Sequence, residues 1–220
     1  MKQSQIMEFL DEDLERYIEQ HTSEESLLLK KINRETHVEV LKPRMLSGHL
    51  QGRLLSMVSK LIQPKNILEI GTYTGYSAIC LAEGLTEGGK LITIDVNEEL
   101  EDRVKDYFDE AGFSDVIQLK IGQAELIVPT LKEEFDLVFI DANKGAYSEY
   151  LEMVYDKVVP GGLIIADNVL WSGKVLEKFR TKLDADTKAL LDFNKQVQQD
   201  DRFENVLLGV RDGLMMIRKK

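Results

Sequence analysis

The sequence predicts an α/β fold with a doubly wound, mostly parallel sheet that ends in an antiparallel hairpin. From residue 67 onward, short apolar runs rich in branched side chains alternate with longer amphipathic stretches. This pattern is typical of buried parallel strands joined by helices. Near the C-terminus the alternation stops, because Arg211-Asp212-Gly213 separates two apolar runs and Asp-Gly favours a hairpin turn.

The predicted elements follow one another in this order. Residues 1–60 are predicted to be a helical N-terminal part, because Leu46, Leu50 and Leu54 recur at helical spacing. Strands are predicted over 67–70, 90–95, 116–121, 135–140 and 162–166, and the hairpin over 206–210 and 214–217. Helices are predicted over 71–85, 98–111, 125–131, 147–158 and 187–199. No repeat or Pro/Gly/Ser-rich linker interrupts the chain, so residues 1–220 are predicted to form one domain.

The composition limits the class of protein and its partners. With 43% hydrophobic and 30% charged residues, the 220-residue chain resembles soluble globular proteins. The formal net charge of -11 argues against nucleic-acid and anionic-membrane partners, which attract basic surfaces. Cys80 is the only cysteine, which excludes an intramolecular disulfide. Neither a signal-peptide pattern nor an apolar run of roughly 20 residues is present, so we expect a cytoplasmic protein without a membrane partner.

Two acidic clusters directly follow two of the predicted buried strands. Asp141 comes after the apolar run 135–140, and Asp167 and Asn168 come after the run 162–166. In an open α/β sheet the carboxyl ends of neighbouring strands share one crevice, where ligands bind. Three converging oxygen ligands suit a hard divalent cation. Lys144 follows the first cluster closely and is a candidate base.

A glycine turn follows the first predicted strand. Gly71 and Gly75 let the backbone pass close to a ligand, but Tyr73 occupies the middle position of the G-x-G-x-x-G dinucleotide pattern. Glu69 precedes the turn, where a carboxylate would repel a pyrophosphate and attract an amine or sulfonium. Asp95 ends the next strand, where an acid commonly binds ribose hydroxyls. Together these acids favour S-adenosylmethionine over NAD.

The motifs taken in order resemble one known family. The runs LEIGTYTGYS, ITID, FIDANK, GGLIIADNVLWSG and DGL are similar to those of the cation-dependent O-methyltransferases, which include the caffeoyl-CoA and catechol O-methyltransferases. The resemblance extends from about Met45 to the C-terminus. It implies a class I methyltransferase fold, in which residues 61–220 form a Rossmann-like core of seven strands with the last one antiparallel.

The resemblance also implies roles for individual residues. Asp141, Asp167 and Asn168 match the metal ligands of the family, and Lys144 matches its proposed general base, whose pKa a bound cation would lower. Asp141 is also implied to take part in catalysis and to touch the cofactor. Trp171 is equally consistent with a substrate platform and with packing. The residues that match the cofactor site are Met45, Ser47, Glu69, Gly71, Gly75, Ser77, Asp95, Gln123, Ala124 and Asp141.

The implied activity is methyl transfer from S-adenosylmethionine to a hydroxyl of a small aromatic diol by a homodimer. The cation would be Mg²⁺, with Mn²⁺ and Ca²⁺ as alternatives. A second interpretation is methylation of a hydroxylated uridine in tRNA, which the net charge disfavours. It would use the basic residues Lys30, Lys31, Arg34, Lys42, Arg44 and Arg53. A non-catalytic nucleotide-binding module and a nicotinamide dehydrogenase are further alternatives, and the latter is disfavoured by the glycine pattern.

Overall fold

The centre of the fold is a seven-stranded sheet, seen in a computed structural model that describes residues 11–180 and 182–220. The strands are β1 Asn66–Ile70, β2 Lys90–Asp95, β3 Ile117–Ile121, β4 Phe135–Ile140, β5 Val158–Ala166, β6 Phe203–Leu208 and β7 Leu214–Lys219. Their order is β3-β2-β1-β4-β5-β7-β6. Strand β7 is antiparallel to both neighbours, whereas β1 to β5 are mutually parallel. The predicted mixed α/β sheet is therefore confirmed.

Helices cover both faces of the sheet. They are α1 Glu12–Gln20, α2 Leu27–Glu39, α3 Gly48–Ile62, α4 Tyr76–Ala82, α5 Glu101–Glu110, α6 Ala124–Ile127, α7 Tyr147–Tyr155 and α8 Ala185–Gln199. Side chains of α2 to α5 form one apolar core with alternate strand residues, and side chains of α6 to α8 form the other. Alternation along β1 explains this division, since Ile67 belongs to one core and Leu68 to the other.

The N-terminal prediction agrees with α1 to α3, although its first ten residues lie outside the described part of the chain. Leu29 and Ile32 of α2 and Leu55 of α3 are fully buried in the same core as Ile67. Helices α2 and α3 are thus packed against the sheet through apolar side chains, which is the main source of helix stability in proteins. Within residues 11–180 and 182–220, no helix combines the length and apolar character that crossing a membrane requires.

Several predicted boundaries were wrong, including the start of α4, the start of β5, both ends of β6 and the end of α7, which lies at Tyr155 and not at residue 158. Helix α4 begins at Tyr76 instead of residue 71, because the glycine turn reaches Gly75, which has a φ of 78°. Strand β5 begins at Val158 and not at 162, so it contains Pro160 and two glycines, which strands normally disfavour. A register shift in β4 between Phe135 and Leu137 accommodates this irregular start. Strand β6 ends at Leu208, which leaves residues 209–213 as a longer connection to β7 than the predicted three residues.

Candidate functional site

The carboxyl ends of three parallel strands lie side by side at one edge of the sheet. Ile140, the last residue of β4, pairs with Ile70 of β1 on one side and with Ala166 of β5 on the other. The backbone pairing continues one residue further, because Asp141 N donates to Ile70 O (2.8 Å) and Asp167 N donates to Ile140 O (2.9 Å). The register therefore places the two predicted acidic clusters next to each other, as the sequence predicted.

Asp167 is a buried carboxylate, with only 1% of its surface exposed. Its Oδ1 accepts a hydrogen bond from Asn168 N and its Oδ2 accepts one from Gln51 Nε2, both at 2.6 Å. Burial, and then the charge of Asp141, raises the pKa of Asp167 above its ordinary value, whereas Lys144 and Gln51 lower it. Two carboxylates next to a single ammonium retain negative charge that a divalent cation would balance, so these residues fit such an ion.

Asn168 is the third member of the predicted ligand set. Its backbone lies in the left-handed region with a φ of 58°, a conformation that asparagine tolerates better than most residues. No group of three or more His, Cys, Asp or Glu side chains that could hold a metal ion occurs in the described part of the chain. The predicted set therefore contains two carboxylates and depends on the Asn168 amide for its third oxygen.

Lys144 is held at the edge of this carboxylate pair, and its side chain is only 10% exposed. Its Nζ donates to Asp141 Oδ1 and to the Tyr147 hydroxyl, both at 2.7 Å. Tyr147 in turn donates to Asp167 O at 2.9 Å. Burial disfavours the ammonium, but Tyr147, Asp141 and Asp167 outweigh burial and raise the pKa of Lys144. The lowered pKa expected from the resemblance therefore requires the charge of a bound cation in addition to these residues.

A cleft next to Asp141 brings together several predicted cofactor residues. Gly71 has a φ of 104°, and a side chain there would collide with the backbone carbonyl of Asp141, so only glycine fits. Met45 at the rim is 51% exposed, and Ser47 is buried. The residues that line the cleft are Met45, Leu46, Ser47, Gly71, Thr72, Tyr73, Thr74, Tyr76, Ser77 and Asp141.

Glu69 lies buried in β1 beneath the glycine turn, with none of its surface exposed. Its Oε2 accepts a hydrogen bond from Thr93 Oγ1 at 2.5 Å, whereas its buried Oε1 has no hydrogen-bond partner among the described residues. Burial raises the pKa of Glu69 to about 8, although the hydroxyls of Ser77 and Thr93 oppose the shift. A buried carboxylate oxygen without a partner is costly, and a cationic group of a ligand would satisfy it.

Asp95 lies at the end of β2, on the other side of the glycine turn. Its Oδ2 accepts from Tyr73 N at 2.7 Å, so the carboxylate is anchored to the turn. Its backbone carbonyl accepts from Gly122 N at 2.8 Å, which brings the start of α6 to the same edge. Gln123 is exposed and Ala124 is buried at this point. The structure thus places these two residues close to Asp95, although neither lines the cleft described above.

Trp171 is half-buried in the loop after β5 and packs against the apolar core of α6 to α8. Its backbone N–H donates to Asn168 O at 3.1 Å. Lys174 Nζ lies 5.5 Å from the centroid of its ring, and the indole Nε1 has no hydrogen-bond partner in the part of the chain that the structure describes. The residue therefore has a packing role and is also tied to the loop that carries Asn168.

The sequence did not reveal three residues that support the site. Tyr147 is three positions after Lys144 at the same helix start, so helical spacing could have indicated it. Gln51 contacts Asp167 across 116 positions of sequence, and no local pattern indicates this. Arg211, in the β6–β7 connection, donates from Nη1 to Leu46 O (2.8 Å) and to Ser47 O. It thereby holds the segment that borders the cofactor cleft.

The basic residues considered for RNA binding are partly neutralised. Lys30 pairs with Glu24 at 2.8 Å, and Lys31 pairs with Glu110 at 2.5 Å. Arg53 pairs with Glu83 at 2.8 Å, and its side chain is only 14% exposed. Half of the six predicted basic residues therefore have an acidic partner, which reduces the positive charge available to a phosphate backbone.

Comparisons with known proteins identify similar chains. Residues 19–220 match the model of a family described as O-methyltransferase. A catechol O-methyltransferase from Niastella koreensis is 41% identical over 136 residues, which are 60% of this chain and 62% of that protein, less than two thirds of its length. Caffeoyl-CoA O-methyltransferase 1 from Eucalyptus globulus is 35% identical over 178 residues, 77% of this chain and 72% of that protein.

A solved structure is similar over almost the whole chain. The SAH-bound methyltransferase PaMTH1 from Podospora anserina superposes with a TM-score of 0.88 at 29% sequence identity. The superposition covers 96% of this chain and 97% of that one. The similarity thus includes the sheet, the helices on both faces and the antiparallel C-terminal strands described above.

Proposed function

This chain belongs to the O-methyltransferase family, and from that premise we propose that it methylates a hydroxyl of a small catechol-like or caffeoyl-type aromatic diol with a divalent cation bound. Family membership makes the chain an S-adenosylmethionine-dependent O-methyltransferase. The observation that carries the rest of the proposal is the pairing of half-buried Asp141 with buried Asp167 beside Lys144, at the strand ends that border the cleft.

The cofactor would be held by side chains at the ends of β1 and β2. The unpartnered Glu69 Oε1 suits the ammonium group of S-adenosylmethionine, and Asp95 suits the ribose hydroxyls. Gly71 and Gly75 let the backbone approach the ligand. The remaining residues assigned to this site are Met45, Ser47, Ser77, Gln123, Ala124 and Asp141.

The cation would be held by Asp141, Asp167 and Asn168, with Mg²⁺ as the favoured ion. When bound, it would supply a positive charge that lowers the pKa of a nearby hydroxyl and orients vicinal oxygens. Lys144 Nζ lies beside this pair and would take the proton of the acceptor hydroxyl. The Tyr147 hydroxyl holds Nζ in place at 2.7 Å, so the base is positioned before the acceptor arrives.

The proposed acceptor class is supported by the names of two relatives and by the ion pairs of the basic residues. Two similar proteins are named for catechol and for caffeoyl-CoA, and both names describe aromatic rings with vicinal hydroxyls. Trp171 offers an aromatic surface on the loop next to Asn168. The pairing of Lys30, Lys31 and Arg53 with glutamates gives tRNA little support as the acceptor. A homodimer remains part of the proposal through the family resemblance.

Methyl transfer is expected with catechols or caffeoyl esters and Mg²⁺, but not with undermodified tRNA. The assay follows radioactive methyl transfer from S-adenosylmethionine to each acceptor. Because the protein supplies few metal ligands, EDTA should abolish turnover, and added Mg²⁺ or Mn²⁺ should restore it. Full activity in metal-free buffer would contradict the requirement for a cation. Transfer to tRNA alone would contradict the proposed acceptor class.

Glu69 is expected to release a proton when SAH binds. With a pKa of about 8 the carboxyl is mostly protonated at neutral pH, and the ammonium of SAH would stabilise its ionised form. Affinity should therefore rise as the pH increases through that pKa. Calorimetry in buffers of different ionisation enthalpy should give buffer-dependent heats for the wild type but not for Glu69→Gln. Identical buffer dependence in both proteins would show that Glu69 is not the group that releases a proton when SAH binds.

A further inference from the structure

Gln51 of α3 has a buried polar side chain that packing alone does not explain. It is fully buried, and its Nε2 donates to Asp167 Oδ2 at 2.6 Å. Its Oε1 is also buried, and no group within residues 11–180 and 182–220 forms a hydrogen bond with it. A buried acceptor without a partner lowers the stability of a protein, so packing alone would favour an apolar residue here. The amide is therefore better explained by its contact with Asp167.

The helix that carries Gln51 is fixed close to the site. A Cβ atom at the next residue, Gly52, would lie 2.5 Å from Cε1 of Tyr76 on α4, so the two helices meet where only glycine fits. Immediately before α3, Arg211 donates to the carbonyls of Leu46 and Ser47. The Gln51 amide thus reaches Asp167 from a backbone that is held on both sides.

The two donors to Asp167 fix the orientation of its carboxylate. Asn168 N donates to Oδ1 and Gln51 Nε2 donates to Oδ2, each at 2.6 Å, so each oxygen has one fixed partner. A carboxylate oxygen accepts more than one hydrogen bond or ligand contact, which leaves both oxygens able to bind a cation. Among the hydrogen bonds of the described residues, Gln51 is the only side chain that donates to the carboxylate of Asp167, since Tyr147 donates to its backbone carbonyl.

We propose that Gln51 is a positioning residue, which orients Asp167 for a divalent cation through the Nε2–Oδ2 hydrogen bond. This inference rests on the proposed function, because it requires that a cation binds at Asp167. Groups that hydrogen-bond a metal ligand orient it, and their loss typically weakens metal binding by roughly 10–100-fold. Loss of the Gln51 amide should therefore act on cation affinity and not on the cofactor cleft.

The test measures Mn²⁺ affinity directly, without acceptor and without turnover. Electron paramagnetic resonance reports free Mn²⁺ during titration of the SAH-bound protein. Gln51→Met, which keeps an unbranched side chain but has no donor, should raise the Mn²⁺ Kd by roughly 10–100-fold. The SAH Kd, measured by calorimetry, should stay within about twofold of wild type, because Gln51 does not line the cleft.

Ser56→Ala is the matched control on the same helix. It removes another hydrogen bond made by a buried side chain, from Ser56 Oγ to Glu83 Oε2 at 2.7 Å, without touching Asp167. It should lower the Tm but leave the Mn²⁺ Kd unchanged. Asp167→Ala is the reference for lost cation binding. If Gln51→Met does not unfold cooperatively, Gln51→Leu replaces it, because leucine also lacks a donor.

The outcomes separate this inference from the proposed function. Wild-type Mn²⁺ affinity in Gln51→Met, together with lost binding in Asp167→Ala, would overturn the positioning role alone. Absence of Mn²⁺ binding in the wild type would overturn both. A loss of Mn²⁺ and SAH affinity in equal proportion, with a lowered Tm, would assign Gln51 a general structural role and overturn the inference as well.

Discussion

Replacing Asp167 by alanine is expected to abolish cation-dependent methyl transfer while the fold and SAH binding persist. Asp167 is one of only two carboxylates in the proposed ligand set, so its removal leaves Asp141 and the Asn168 amide. Charge stabilisation by a metal ion contributes several kcal/mol to a barrier. Because each 1.36 kcal/mol is a factor of ten, kcat/KM should fall by roughly 10³ or more.

The measurement is initial-rate kinetics at saturating Mg²⁺, with SAH affinity and Tm determined on the same samples. Asp167→Asn keeps the size of the side chain but not its charge, and it should lose activity similarly. Asp102→Asn changes an exposed carboxylate of α5 and is the matched control for the lost charge. Activity of Asp167→Ala close to wild type would exclude Asp167 from the reaction.

The raised pKa of Asp167 should make the folded protein less stable as the pH increases. Burial and Asp141 raise the pKa of this carboxyl in the folded protein, so the folded state holds a proton that the unfolded state releases earlier. Its contribution to stability is therefore full below the ordinary pKa of 3.8 and is lost as the pH rises through the raised value. In metal-free buffer, Asp167→Asn should lose this decline, which thermal unfolding across a pH series would detect.

The position of the carboxylates could be predicted from the sequence because parallel strands end in register. Apolar runs locate β4 and β5, and the residue after each run must lie at the carboxyl edge of the sheet. This places Asp141 next to Asp167 without any knowledge of side-chain packing. The glycine turn after β1 was predictable for the same reason, since Gly71 directly follows a buried strand.

Contacts between distant elements could not be predicted in this way. The amide of Gln51 and the guanidinium of Arg211 reach the site from α3 and from the β6–β7 connection. Neither residue follows a strand of the parallel set, and their partners are more than 100 positions away in sequence. Only the packing of α3 against α4 and the turn before β7 brings them to Asp167 and Ser47.

The pKa of Lys144 could not be predicted from the sequence either, because it depends on the distances from Nζ to neighbouring side chains. The side chain contacts Asp141 and Tyr147, each at 2.7 Å, and these neighbours raise the pKa despite burial. A lysine in this setting is an ammonium in the protein alone. To accept a proton it needs a nearby positive charge, which a cation bound to Asp141 and Asp167 would provide.

Lys144→Met is therefore expected to lower kcat by roughly 10²–10⁴, the usual size of a general-base contribution. Methionine keeps an unbranched side chain but removes both hydrogen bonds of Nζ. SAH affinity should change little, because Lys144 does not line the cofactor cleft. Lys195→Met, at an exposed position of α8, is the matched control. Single-turnover methyl transfer at saturating Mg²⁺ isolates the chemical step.

The pH profile distinguishes a base from a residue that only organises the site. If Lys144 accepts the proton, the wild-type rate should rise with pH until Nζ is neutral. The rate of Lys144→Met should not show this rise. Lys144→Arg should not restore the rate, because guanidinium stays protonated and cannot accept a proton. Full rescue by Lys144→Arg would instead assign Lys144 an electrostatic role beside Asp141. Near wild-type rates in Lys144→Met would mean that the acceptor proton leaves by another route.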